Sequence, residues 1–427
     1  MEPLPTTERP AWRDLVARLA IDVSPLRDYP DFRRLWLGQA ISFVGGEVTF
    51  VAMPFHVYEL THSTLWLGLF SLTQLVPLLT LTLVGGAFAD ALDRRRMLLA
   101  TETLEALAVA GLAVNAALPH PSLALLFVLA TVAAACFSAG VSAMRALPSR
   151  LVPDEVFTKA AALGGVYYGI GGVAGPAVAG VLIKVAGLPF VYALDAASFL
   201  ASLVALYGLP AIPPADDADR PSLGAIAAGF GFLRGERVIV GFFLVDTCAM
   251  VFGMPIALFP AIADRQFGDT TLVGYLYAAP AAGALLAALA SGWVSHVRRQ
   301  GVVVVIAASF WGAAITLFAF ADRFWLALLL VALAGLADQI SAIFRSAMLL
   351  ALTPDRLRGR LLGIEFFQVA SAPTLGNLEA GVVASLTSIR FSVASGGILC
   401  IAGAIASALA FPALLRYDTK AREAAPA

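Results

Sequence analysis

The chain has 427 residues, of which 60% are hydrophobic and only 13% charged, with a mean hydropathy of +0.86. Apolar runs of about twenty residues recur along its whole length, which excludes a soluble globular domain and implies helices that cross a bilayer. The net charge of −1 says nothing of partners because the basic residues are segregated by loop, and Cys136, Cys248 and Cys400 all fall inside apolar runs as buried, inert thiols.

In chain order, residues 1–33 read as a tail without a cleavable signal peptide. Trp12, Leu15, Val16 and Leu19 recur at helical spacing beside Arg13, Asp14 and Arg18, the pattern of a short helix on the membrane surface or of a flexible tail. Six apolar segments follow near 34–58, 64–89, 97–118, 122–147, 157–184 and 190–208. A Pro- and Asp-rich linker over 209–236, closing with a surface helix, leads to six more near 237–263, 270–294, 301–320, 324–351, 361–385 and 391–415. Residues 416–427 form a tail. The fold class expected is an all-α polytopic membrane protein of twelve helices in two six-helix halves, 34–208 and 237–415.

Orientation follows from Lys and Arg. With the amino terminus inside, only Lys184, Arg265, Arg323 and Arg390 among the 28 basic residues lie at outer ends, so both termini and the central linker are expected in the cytoplasm. A degenerate repeat supports the halves: Arg145…Pro153-Asp154 recurs as Arg345…Pro354-Asp355 at offsets of 200 and 201 residues. Gly292 to Arg299 occupies the place of the Gly86 loop, with His296 where Asp90 stands.

The connection between the second and third runs reads Gly86…Asp90-Ala91-Leu92-Asp93-Arg94-Arg95-Arg96. It resembles the loop 2–3 signature of the major facilitator superfamily, with Gly86, Asp90, Arg94 and Arg95 matching and Ala91 and Asp93 departing. The segments Phe32-Arg33-Arg34-Leu35-Trp36, Leu60-Thr61-His62-Ser63-Thr64 and Leu147-Pro148-Ser149-Arg150-Leu151-Val152-Pro153 extend the likeness over about residues 31–416. They resemble the enterobactin-exporter and macrolide-efflux branch of that superfamily. The resemblance implies that loop 2–3 closes the cytoplasmic side as a gate, with Gly86, Asp90, Arg94, Arg95, Arg145 and Glu102 in one group. Gly171, Gly175, Pro176 and Gly180 look like part of the antiporter motif of a fifth helix, as a hinge or simply as close packing.

A carboxylate at the bilayer centre costs about 2.5–3.5 kcal/mol on insertion scales, so it should face a cavity or a partner. Glu47 and Asp246, 199 residues apart and near-symmetric in the repeat, are candidates for proton coupling or for contact with polar cargo; the competing reading is a structural hydrogen bond to a neighbouring helix, or one with Gln39 or Thr49 of the helix that carries Glu47. Asp338, with Arg345 seven residues on, and Glu379 are lesser candidates for the same cavity. Asp195 reads as interfacial. Tyr275 and Tyr277 either stack on an aromatic cargo or join the lipid-interface belt.

No Gly-x-x-x-x-Gly-Lys-(Ser/Thr), His-Glu-x-x-His, Cys-x-x-Cys or Gly-x-Ser-x-Gly motif is present, and the four histidines lack metal-ligand spacing. No enzyme activity, cofactor or metal is expected. The reading is a secondary transporter of the bacterial inner membrane that exports a small amphipathic siderophore or drug by proton antiport. Its partners are cargo, protons and the lipid bilayer, with no nucleic acid. Uniport, lysolipid flipping and a non-transporting receptor or scaffold are the alternatives.

Overall fold

The computed structural model describes residues 22–212 and 231–418; the surface helix expected at 12–19, most of the central linker and the last nine residues lie outside them. The described chain is helical with no strand. The long helices are α1 (Pro30–Thr61), α2 (Thr64–Ala91), α3 (Arg94–Ala117), α4 (Leu123–Ala146), α5 (Asp154–Tyr207) and α6 (Arg237–Phe252). Then come α7 (Phe259–Phe267), α8 (Val273–Leu289), α9 (Gln300–Phe318), α10 (Phe324–Leu352), α11 (Asp355–Leu386) and α12 (Ile389–Ala410).

Local chemistry explains the boundaries. Pro30 opens α1 where its missing N–H costs nothing. Asp93, Ser122 and Ser388 cap α3, α4 and α12 through their side chains, each satisfying one orphan backbone donor. At 54 residues α5 would run about 80 Å, too long for one crossing, so it makes two. Its arms meet at Gly187, whose φ of 79° and ψ of 168° only glycine adopts without strain.

The seventh crossing, expected as one run over 237–263, is broken instead. Gly253, Met254 and Pro255 separate α6 from a 3-10 turn, Ile256–Leu258, that leads into α7. Proline cannot continue the hydrogen-bond ladder, and side chains from neighbouring helices take up the freed groups. Trp311 Nε1 donates to the Gly253 carbonyl at 2.6 Å, and the Ala257 N–H donates to Asn377 Oδ1 at 2.9 Å.

Ten segments among the described residues are long and apolar enough to cross a membrane, with both arms of α5 inside one of them. Polar side chains along α11, such as Arg358, Glu365, Gln368 and Glu379, keep it out of that set. Its 32 residues still reach about 48 Å and pack beside α2. Twelve passages result. The first six pack as one bundle, in which α1 lies along α5, α2 along α4, and α3 along α4 and α5. The last six pack likewise, with α8 along α10, α9 along α10 and α12, and α6 along α11 and α12. The bundles meet along two seams, α2 with α11 and α5 with α8.

Candidate transport site

The two seams are tight at the end of the helices away from the chain termini. At Gly68 an added Cβ would fall 3.1 Å from Gly381 Cα, and at Gly180 it would fall 2.5 Å from the Thr271 carbonyl oxygen and 3.2 Å from Gly274 Cα. Small residues let the backbones touch there. A polar latch joins the halves at the same end: Tyr58 OH donates to Asp264 Oδ2 at 2.8 Å, while Arg265 donates to Tyr58 OH at 3.1 Å and to the His62 carbonyl at 2.6 Å. Outside it Lys184 pairs with Asp269 at 3.5 Å. Hydrogen bonds from Thr271, and then the Lys184 charge, hold the Asp269 carboxyl below the usual carboxylate range. Sequence reasoning missed this latch because its residues sit at span ends, where polar side chains are commonplace.

The opposite end is splayed. A Cβ added at Gly164 or Gly165 of α5, or at Gly359 or Gly363 of α11, would meet nothing within 4 Å. What the halves share toward that end is a stacking contact, with the Arg145 guanidinium carbon 3.9 Å from the centre of the Phe366 ring. The space between the halves is therefore closed at one end and open at the other.

Around that space the candidate acids stand differently from one another. Glu47 is half-buried and has no hydrogen-bond or ion-pair partner among the described residues. Gln39 and Thr49 do not bond to it: Gln39 turns to Glu102 and Ser202 instead. A Cβ at Gly175 would fall 2.5 Å from Glu47 Cβ, and one at Gly171 would fall 2.6 Å from Phe43. The four small residues of α5 therefore divide, Gly171 and Gly175 packing on α1 while Pro176 and Gly180 meet Gly274 of α8. Helical geometry continues through Pro176. Between these two faces Tyr168 is 51% exposed and its ring meets Phe43 of α1 edge-on at 4.8 Å.

Asp246 is not a free cavity acid. It is buried in an ion pair with Arg345 of α10, and Gln368 of α11 donates to its other oxygen at 3.1 Å. Asp338 lies 3.9 Å from the same guanidinium and is 31% exposed. Ser346 donates to Glu365, a further acid within electrostatic reach of Arg345. Glu379 joins none of this: it is half-buried on the face of α11 that carries the exposed Leu375 and Leu386. The tyrosines diverge as residues two apart on a helix must. Tyr277 packs edge-on against Phe50 of α1 and Phe259 of α7, whereas Tyr275 points outward beside Phe324.

Two expectations from the first half are corrected. Asp195 is not interfacial: at 1% exposure it lies beside Gly45 and accepts from Ser198 at 3.2 Å, because the second arm of α5 packs flat on α1. Glu102 does not join the loop 2–3 group but lies buried under Gln39 and Ser202.

Residues 20–427 match the family model described as transmembrane secretion effector, a major facilitator family. The chain belongs to the major facilitator superfamily. It is 30% identical over 386 residues to the enterobactin exporter EntS of Escherichia coli O1:K1 / APEC, covering 90% of this chain and 93% of that protein. The same exporter from Shigella boydii serotype 18 is 31% identical over the same length. Among solved structures, a POT family transporter in complex with 5-aminolevulinic acid superposes with a TM-score of 0.74 at 12% identity, covering 90% of this chain and 97% of that one. The chain is thus a multi-pass membrane transporter and not an enzyme.

The facilitator signature at loop 2–3 has a local anatomy of its own. The helix α2 continues through Gly86 and Asp90, but the surroundings of Gly86 and the side chain of Asp90 lie outside what the structure describes. Asp93, a departure from the signature, accepts from the Arg96 N–H at 3.0 Å and from the Ile212 N–H at 3.1 Å. Arg95 donates to the carbonyls of Leu206 and Tyr207, and the Arg94 N–H donates to the Ile212 carbonyl. These contacts fasten the loop to the end of the second arm of α5, within its own half.

Proposed function

We propose that the protein is a secondary active exporter that carries a small amphipathic molecule of the siderophore or drug-like class outward across a bacterial inner membrane while protons return. The observation that carries this reading is likeness along 90% of the chain to an enterobactin exporter, joined to a space sealed at one end and open at the other. In this reading the termini and the central connection are cytoplasmic, because the basic residues gather on that side. The structure then represents the inward-facing arrangement. The halves 34–208 and 237–415 rock against each other along the α2–α11 and α5–α8 seams, opening the Tyr58–Asp264–Arg265 latch as the inner ends close.

Glu47 is the acid best placed to exchange a proton for cargo, since it borders the seam and has no partner to give up. Asp338, competing weakly for Arg345, is the second. Each proton that returns across one pH unit supplies about 1.4 kcal/mol, enough for a tenfold concentration ratio of cargo. The test is proton movement in proteoliposomes under an imposed pH gradient, with enterobactin and macrolides added in turn. Cargo-dependent flux that Glu47→Gln abolishes is expected. Cargo movement without proton movement would make the protein a uniporter.

A further inference from the structure

A second set of polar residues lies behind α1, on the face turned away from Glu47. Near the terminal end Gln39 donates to Glu102 at 3.0 Å and to Ser202 at 2.7 Å, and Ser202 donates to Glu102 at 2.5 Å. Further along, Ser198 donates to Asp195, and Glu105, one turn from Glu102, is within electrostatic reach of both acids and of Cys136 on α4. Thr49 Oγ1 faces Asp195 from a residue only 4% exposed. Beyond it His56 Nδ1 and Tyr192 OH are buried 3.4 Å apart, with Glu59 past them at the helix end. From Gln39 to His56 the track rises about 26 Å, close to the ~30 Å hydrocarbon thickness.

No Lys or Arg bonds to Glu102, Glu105 or Asp195 among the described residues. Apolar side chains of like volume would fill this seam at no desolvation cost, whereas Glu102 and Asp195, buried among hydroxyls and an amide beside the half-buried Glu105, are costly to place there. What such an array can do chemically is hold and pass protons. Cargo has no access, since α1 itself separates the track from the space between the halves.

We propose that this seam is a proton-binding site separate from the cargo path, charged from the sealed face through His56 and Tyr192 and discharged at the other through Glu102. The track is interrupted between Thr49 and His56, where Val51, Ala52 and Val191 are wholly buried and carry no polar group. That dry interval keeps protons from leaking in the present arrangement, and a shift of α1 against α5 during rocking would bridge it. The proposal rests on the antiport reading and adds a second protonation locus to Glu47.

The test counts protons moved per enterobactin in proteoliposomes for the wild type, Asp195→Asn, Glu102→Gln and the near-isosteric Thr49→Val, alongside enterobactin movement down its own gradient. Infrared spectra in H2O and D2O read the protonated carboxyl bands of the same proteins without any cargo. The expected result is a lower proton-to-cargo ratio in the three variants, retained downhill movement, and carboxyl bands lost with Asp195→Asn and Glu102→Gln. Thr49→Val removes no charge, so it tests the track even where an acid variant fails to fold. An unchanged ratio in all three, with Glu47→Gln alone uncoupling, overturns the seam and leaves antiport standing. Wild-type transport with no proton movement overturns both.

Discussion

The two halves solve the same problem in opposite ways. In the first, Glu102 and Asp195 are buried among neutral partners, Gln39, Ser198 and Ser202. In the second, Asp246 is buried against a cation, with Asp338 standing 3.9 Å off the same guanidinium. A carboxyl group among neutral partners can be replaced by an amide, with a serine hydroxyl turning to accept where it had donated. A carboxylate paired with a buried arginine cannot, because its loss strands a charge. Near-symmetric architecture therefore carries unequal electrostatics, and the cation makes Asp246 structural first.

The strongest way to break this comparison is stability. Asp246→Asn should destabilise the protein by about 3–5 kcal/mol by leaving Arg345 without its counter-charge. Adding Arg345→Gln should restore part of the loss. Glu102→Gln should cost only about 1 kcal/mol, since Gln39 and Ser202 can bond to an amide. Unfolding in detergent measures all three. Equal losses for Asp246→Asn and Glu102→Gln would erase the distinction between the halves.

The next effect lies where the halves touch. A methyl group at Gly180 would fall 2.5 Å from the Thr271 carbonyl oxygen, so Gly180→Ala should oppose the sealed end by about 1–3 kcal/mol. Distances between spin labels at the Gly187 bend of α5 and at the sealed end of α8 should lengthen. An unchanged distribution would mean that the seam does not depend on glycine.

Much of this architecture was legible in the sequence because it is one-dimensional: apolar runs, loop charges and the 200-residue repeat locate the passages and the halves. Glu47 was legible for the same reason, as an acid in an apolar run. Pairings across helices were not. Asp246 and Arg345 are 99 residues apart, and nothing in either segment announces the other. Ser198 and Ser202 read as ordinary small polar residues, and Gln39 as a partner for Glu47, until α1, α3 and the second arm of α5 come together. The break before α7 had a signal in Gly253 and Pro255, outweighed by the hydropathy around it.

Smaller effects belong to the latch. Arg265→Gln removes the bonds to Tyr58 and to the His62 carbonyl at a partly exposed site, and should loosen the sealed end by about 0.5–1.5 kcal/mol. The label distances that report Gly180→Ala should move in the same direction but less far. If they move further, the seal is held mainly by the latch and only secondarily by backbone contact.

Lys184→Ala should do least, because its pair with Asp269 is exposed and such pairs are worth about 0–1 kcal/mol. Its pH dependence can be worked out. Thr271 and Lys184 lower the folded-state value of Asp269, so its contribution is complete above the ordinary aspartate value of about 3.9 and is lost only as pH falls through the lowered one. Across the neutral range Asp269 stays charged. Opening of the sealed end should therefore show the same pH dependence in wild type and Lys184→Ala between about pH 5 and 8. A difference in that window would assign pH sensing to the Lys184–Asp269 pair at the sealed end and remove it from the buried acids of the first half.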